Sequence, residues 1–194
     1  MLNGRKHRVE LKKMTDLEII QRVRNGDDSA FAALIRKYEQ RVAATVIGML
    51  GHGPEAEDTG QEVFIRFYKA LPKFRGESSV ATYLTRIAIN LALTTLRRRK
   101  MRQLLFSGLD KKQENVLDPK SFLTAIEHRD AVHALLQKLP VKFRAVLVLR
   151  LLDDCSVDET AEILGIPAGT VLSRLARGLE KARKVLQENM EYES

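Results

Sequence analysis

The 194-residue chain predicts an all-α fold: two small helical domains joined by a flexible linker, the C-terminal one carrying a helix-turn-helix. Three observations carry that expectation. Apolar residues recur at three- and four-residue spacing along most of the chain and almost nowhere with period two, which argues for helices and against a sheet. A polar stretch after the middle interrupts that pattern. Near the C-terminus a short amphipathic segment, Ser156–Ile163, meets a longer one across Leu164-Gly165-Ile166-Pro167, the short turn of a helix-turn-helix.

Residues 1–13 are polar and basic and read as a frayed tail. Thr15 and Glu18 have capping-box spacing, in which a hydroxyl accepts from the first turn while a carboxylate reaches back. They open a short helix that Asn25-Gly26 stops. A longer helix is expected from about Ser29 to Leu50, with Phe31, Leu34, Tyr38, Val42 and Val46 inward. Gly51-His52-Gly53 breaks it, and Pro54 suits the first position of the next helix, which carries Ala56, Val63, Phe64, Phe67 and Leu71 and ends at Pro72. After the loop Lys73–Ser79, a helix spans about Val80 to Arg102 with Val80, Leu84, Ile87 and Leu91 inward. Order is lost from Gln103 to about Leu123, where Ser107-Gly108, the charged Asp110–Glu114 run and Asp118-Pro119 form a linker. Helical periodicity returns over Ala125–Leu139 and Val141–Leu152, parted by Pro140. Ser156 and Glu159 make a second capping box, Gly165 offers a left-handed stop, and Val171, Leu175, Leu179, Ala182 and Leu186 hold an apolar stripe. The expected division is a tail at 1–13, one domain at 14–102, a linker at 103–125 and a second domain at 126–190.

Lys and Arg number 33 against 25 Asp and Glu, and the net charge of +8 favours a polyanionic partner. Cys155 is the only cysteine, which excludes an internal disulfide and fits a reducing cytoplasm; its setting suggests a small filler residue. No apolar run approaches the roughly 20 residues of a membrane span. Arg5, Lys6 and Arg8 lead into no apolar signal core, so the expectation is a cytoplasmic protein without membrane insertion. His7, His52, His128 and His133 show no metal-ligand spacing with Cys155. With no Gly-rich phosphate loop and no paired acids in a hydrolytic pattern, the sequence reads as a non-enzyme with no cofactor and no metal.

The chemistry concentrates on three surfaces. Arg86, Asn90 and Arg97 recur at helical spacing opposite the core stripe, followed by the run Arg97-Arg98-Arg99-Lys100 and Arg102. Guanidinium forks suit phosphates, and an amide can both donate to and accept from a base edge. The preceding loop, with Phe74, Arg75, Gly76 and Ser79, suits an unstacked base, although Phe74 taken alone reads first as a core residue. Glu55, Glu57, Asp58, Gln61 and Glu62 form an acidic patch that either serves the helix dipole or meets a protein partner.

Ala56-Glu57-Asp58-Thr59-Gly60-Gln61-Glu62-Val63-Phe64 resembles region 2.2 of bacterial sigma factors of the extracytoplasmic-function (ECF, group four) class. Phe74–Ser78 and Tyr83–Asn90 are similar to regions 2.3 and 2.4, and Leu139–Arg150 with Ser156–Arg177 resembles region 4. The resemblance implies a promoter-specificity subunit of RNA polymerase. Glu57, Asp58, Gln61 and Glu62 would dock on the β′ clamp helices. Phe74, Arg75, Ser79, Arg86, Asn90 and Arg97 would open and hold the −10 element, while Thr170, Ser173, Arg174 and Arg177 would read the −35 duplex. Region 4 would also bind the β flap, the linker would thread the RNA exit channel, and an anti-sigma factor would regulate the protein. The chain departs from the family at Tyr68 and Tyr83, where Trp is usual, and at Thr94, where Asp is common. Leu172 stands at a usually basic position, and Ala176 and Gly178 replace larger or polar residues, which implies an unusual −35 preference. The alternative is a free-standing helix-turn-helix regulator with a self-associating surface and a palindromic operator. It leaves the acidic helix and the Arg86/Asn90 face without a purpose.

Overall fold

The computed structural model describes residues 14–106 and 128–191. The expected tail and most of the expected linker lie outside the described residues. All regular structure among the described residues is helical.

Helix α1 spans Asp16–Arg24, and its capping box forms as the spacing predicts. Thr15 Oγ1 accepts from Glu18 N at 3.3 Å and the Glu18 carboxylate accepts from Thr15 N at 2.6 Å. Gly26, at φ +90°, then reverses the chain into α2, Asp28–Leu50, whose cap is the Asp27 carboxylate. Helix α3 runs Pro54–Ala70 and closes in a 3-10 turn, Leu71–Lys73. Helix α4 runs Val80–Phe106, continuing four residues past the expected end at Arg102. Gln103, Leu104 and Leu105 are good helix formers and no Gly or Pro intervenes, so nothing local stops it. Its inward line is Val80, Leu84, Ala88, Ile89 and Ala92; Ile87 and Leu91, expected inward, are only half-buried.

In the C-terminal half, α5 (His128–Lys138) is followed by α6 (Val141–Leu147), α7 (Val157–Leu164) and α8 (Ala168–Glu191). The expected single helix Val141–Leu152 instead widens after Leu147 into a π-helical turn, Val148–Leu152. Asp153 N there bonds to Val148 O at 3.1 Å, and Asp154, at φ +51°, turns the chain toward α7. The second capping box forms at Ser156 and Glu159, and Gly165 ends α7 in the left-handed region at φ +62°. Along α8 the buried line is Val171, Gly178 and Ala182, with Leu175 partly covered. Leu179 and Leu186 are exposed, contrary to the expected stripe. The helix lies against α6 through Gly178, where a Cβ would sit 3.3 Å from Leu147, so the inward line passes beside both leucines.

The two halves pack into one continuous core. Gly48 of α2 packs tightly against the C-terminal half: a Cβ there would sit 3.0 Å from Val148. Beside it Gln137 Nε2 donates to the carbonyls of Gly48 and Ile47 at 3.0 and 3.3 Å. Arg144, 6% exposed, donates to Met49 O, Gln137 Oε1 and Gln137 O, all at 2.6 Å, and to Leu139 O at 3.0 Å. These carbonyls lie around the C-terminal ends of α2 and α5, where helix acceptors lack intrahelical donors and the dipole is negative. Burial, with a smaller push from Arg99, lowers the Arg144 guanidinium to about 10, which leaves it charged at neutral pH. The Asp153 carboxylate, its side chain fully enclosed, accepts from Thr45 Oγ1 at 2.8 Å and lies 3.8 Å from Arg41 Nε. Burial raises that carboxyl to about 6 despite the Thr45 hydrogen bond and the Arg41 charge.

Candidate nucleic-acid and polymerase interfaces

Helix α4 begins where Ser79 Oγ accepts from Thr82 N at 3.0 Å, so this candidate contact residue also caps the helix. The loop before it bends at Gly76, φ +74°, and holds Arg75 well into solvent, 3.8 Å from Glu77. Phe74 does not join that rim. Its ring is 8% exposed and meets Phe67 and Tyr83 edge-on at 6.2 and 5.2 Å. The core role left open for it is the one observed, and the ring anchors the loop instead of offering a stacking face to a base.

Asn90 and Arg97 are exposed along α4, as expected for contact residues. Arg86, on the same helix, is engaged: its Nη2 lies 2.6 Å from Glu162 Oε1 of α7, and its Nε is buried without a hydrogen-bond partner. Next to it Thr82 Oγ1 donates to Glu159 Oε1 at 3.0 Å. Hydrogen bonds from the Ser156 backbone and then from Thr82 lower the Glu159 carboxyl, so α7 presents a carboxylate to α4. Within the basic run, Arg97, Arg98 and Lys100 face solvent, whereas Arg99 pairs with Glu55 and donates to Leu50 O at 3.2 Å. Arg102 lies 3.4 Å from the same carboxylate. Glu55 therefore ties α4 to the start of α3 and is not part of a free acidic patch.

The remaining acidic residues do form a surface. Glu57, Asp58 and Gln61 are exposed on α3, and Glu62 is half-buried beside Arg66 at 2.8 Å. Ile65 and Tyr68, each 47% exposed, extend that surface, and sequence reasoning missed them. Positions 58, 61, 65 and 68 follow the three- and four-residue spacing of one helix face, which was the available signal.

On α8, Thr170, Ser173, Arg174 and Arg177 fall within about 100° of arc at 100° per residue. Ser173 and Arg177 are exposed, and Ser173 Oγ donates to Thr170 O at 3.0 Å. Among the described residues no carboxylate of the chain pairs with Arg174 or Arg177. Leu172 is exposed but turned roughly 200° from Thr170, off that arc. Gly178 faces α6 as a packing residue. Neither supports the expectation that these two substitutions alter base contacts.

Comparison with known proteins gives two family-model matches in chain order: Sigma-70 region 2 over residues 34–102, and Sigma-70, region 4 over residues 129–181. The chain is 36% identical over 178 residues to the ECF RNA polymerase sigma factor SigW of Bacillus subtilis, covering 87% of this chain and 95% of that protein. It is 35% identical over 179 residues to the ECF RNA polymerase sigma-E factor of Escherichia coli, covering 87% and 93%. Among solved structures it resembles CnrH bound to the cytosolic domain of CnrY, with TM-score 0.65, 21% identity and coverage of 89% and 97%. It also resembles the sigma factor RpoE bound to the anti-sigma factor NepR from Bartonella quintana, with TM-score 0.64, 20% identity and coverage of 81% and 96%.

Proposed function

The chain belongs to the ECF sigma factors of the sigma-70 family, and from that premise we propose that it joins core RNA polymerase and directs initiation at a subset of promoters. The observation that carries the reading is the presence, in order on one chain, of a region 2 module and a region 4 module over most of its length. A free-standing regulator needs only the second. Residues 14–102 bind the polymerase and the −10 element, and residues 126–190 bind the −35 element. Glu57, Asp58, Gln61 and Glu62, with Ile65 and Tyr68 beside them, meet the β′ clamp helices, and region 4 meets the β flap. Arg75, Ser79, Arg86, Asn90 and Arg97 receive the −10 strand, while Thr170, Ser173, Arg174 and Arg177 read the −35 duplex. Phosphate contacts set register and base contacts choose the sequence. RNA synthesis itself belongs to the core enzyme, so this chain supplies recognition and not catalysis, and it works where polymerase does, in the cytoplasm. Among its described residues no helix is long and apolar enough to cross a membrane.

The contact between α7 and α4 supports reading the closed arrangement as a resting form that opens on the polymerase, since an Arg86 paired with Glu162 is not available to a DNA strand. A protein antagonist of the anti-sigma kind would act by holding that form. The test is in vitro transcription from fragmented genomic DNA of the source organism, with core polymerase alone and with this chain. New start sites sharing two upstream elements are expected. Core binding without new starts would remove the initiation role, and absence of core binding would favour the free-standing regulator.

A further inference from the structure

Helix α1 precedes the matched region 2 segment, which starts at residue 34. It nevertheless holds the loop between α3 and α4. Arg24, the last residue of α1, donates from Nε and Nη2 to Leu71 O at 3.0 and 2.8 Å, and Nη2 also reaches Phe74 O. These two carbonyls bracket the 3-10 turn at the root of the loop. Two turns earlier on α1, Leu17 lies over the apex: a Cβ on Gly76 would sit 3.0 Å from its Cδ2, and Gly76 already holds φ +74°. Leu17 is 56% exposed, so it lies on the solvent side of that contact. An open hollow of about 740 Å³ lies between the two supports, bounded by Leu17, Ile20, Gln21, Arg24, Lys73 and Arg75.

A loop rich in Gly and Ser samples many shapes, and fixing each residue has an entropic cost. A guanidinium fork that spans two carbonyls removes much of that freedom before DNA arrives, and a Lys ammonium on a flexible stem does this less well. We infer that Arg24 is a positioning residue for promoter opening: through Leu71 and Phe74 it holds Arg75–Ser79 in the shape that receives the unpaired −10 strand, with Leu17 on Gly76 as the second support. The inference rests on reading that loop as the −10 loop.

The test uses full-length chain, core polymerase and a promoter recovered in the transcription experiment. Affinity for core, affinity for the closed promoter at low temperature, and opening rate from permanganate reactivity of unpaired thymines are measured separately. Arg24→Gln is expected to leave both affinities within about twofold and to slow opening roughly tenfold or more, the scale of lost charge-assisted hydrogen bonds. Arg24→Lys restores part of the rate, and Leu17→Ala slows it less than Arg24→Gln. Arg75→Ala separates the two ideas. If it opens DNA at the normal rate, the loop reading falls and takes the inference with it. If Arg75→Ala is slow while Arg24→Gln and Leu17→Ala open normally, the positioning role alone is overturned. Parallel loss of thermal stability and core affinity in Arg24→Gln, unrelieved by Lys, would reduce Arg24 to a residue of the fold and equally overturn it.

Discussion

On α4, Arg86 ends in a carboxylate of its own chain, Glu162 at 2.6 Å, and Thr82 beside it reaches Glu159; on α8, half-buried Arg174 and exposed Arg177 meet no carboxylate among the described residues. Both faces use the same chemistry, guanidinium groups spaced along a helix, yet the closed arrangement covers only the one assigned to strand capture. The difference also has depth. The contacts that cover Arg86 are superficial, whereas those that hold the halves together, Arg144, Gly48 and Asp153, are buried. Closure and masking are thus carried by different residues, and substitutions separate them.

The largest effect is expected at Arg144. Replacing it by Ala leaves Met49 O, Gln137 O and Leu139 O in the interior without their donor. A loss of about 3–5 kcal/mol is expected, since each buried carbonyl left without a donor costs about 1–3 kcal/mol and the guanidinium's packing goes with it. Urea denaturation measures it, and a loss below about 1 kcal/mol would show that these carbonyls find other partners. Part of that loss belongs to region 4 itself, since Gln137 and Leu139 lie in the same half. Gly48→Leu isolates closure: its side chain meets Val148 and Leu152 across the interface, at an overpacking cost of about 1–3 kcal/mol. Small-angle scattering should show the variant more extended. An unchanged radius would mean that the interface absorbs the side chain by repacking.

Next is the pH dependence of closure. Asp153 has its carboxyl raised to about 6 in the closed state, first by burial, against an ordinary value of 3.8. The closed state therefore binds the proton more tightly than an open state in which the group meets water. Closure gains stability as pH falls from about 6 toward 4; this contribution, no more than about 3 kcal/mol, is gone by the time pH has risen through about 6 and does not change further above it. Asp153→Asn keeps an acceptor for Thr45 without the charge, so it should close more firmly at neutral pH and lose this slope. His52 and His133 meet edge-on across the same interface at 5.5 Å, and the Asn variant separates the carboxylate from them. Interdomain energy transfer between dyes, followed from about pH 7.5 to pH 5, reads the outcome; an unchanged slope in Asp153→Asn would exclude this carboxylate as its source.

What was legible in the sequence was local. Thr15 with Glu18, Ser156 with Glu159, and Gly165 each set a helix end within a few residues, and each forms as its spacing predicts. Asn90, Arg97 and Arg177 were legible as exposed polar residues because their helix phase needed only the neighbouring apolar stripe. Illegible features depend on distant partners. Arg86 and Glu162 are 76 residues apart, and Thr45 and Asp153 are 108 apart. No periodicity encodes such a pairing. Leu179 and Leu186 looked inward because hydrophobicity marks a stripe without saying that Gly178 would carry the contact with α6. Phe74 was open between two roles because a single aromatic in a loop has no phase; Phe67 and Tyr83 decide it.

The smallest expected effect tests the comparison most directly. Glu162 is 66% exposed at its side chain, so its pairing with Arg86 contributes at most about 1 kcal/mol after solvent screening. The buried Arg86 Nε lacks a hydrogen-bond partner, which makes the pair incomplete and easily exchanged for a phosphate. Glu162→Gln should leave the scattering radius unchanged and raise binding of the free chain to a single-stranded −10 oligonucleotide by a few-fold, with less gain at high salt. Exchanging the charges, as Arg86→Glu with Glu162→Arg, should restore closure yet abolish promoter opening by holoenzyme, because a carboxylate then faces the DNA. If the exchanged pair opens promoters normally, Arg86 contributes to the closed form alone. If Glu162→Gln leaves single-strand binding unchanged while Gly48→Leu raises it, the mask is the body of α7 and not its carboxylate.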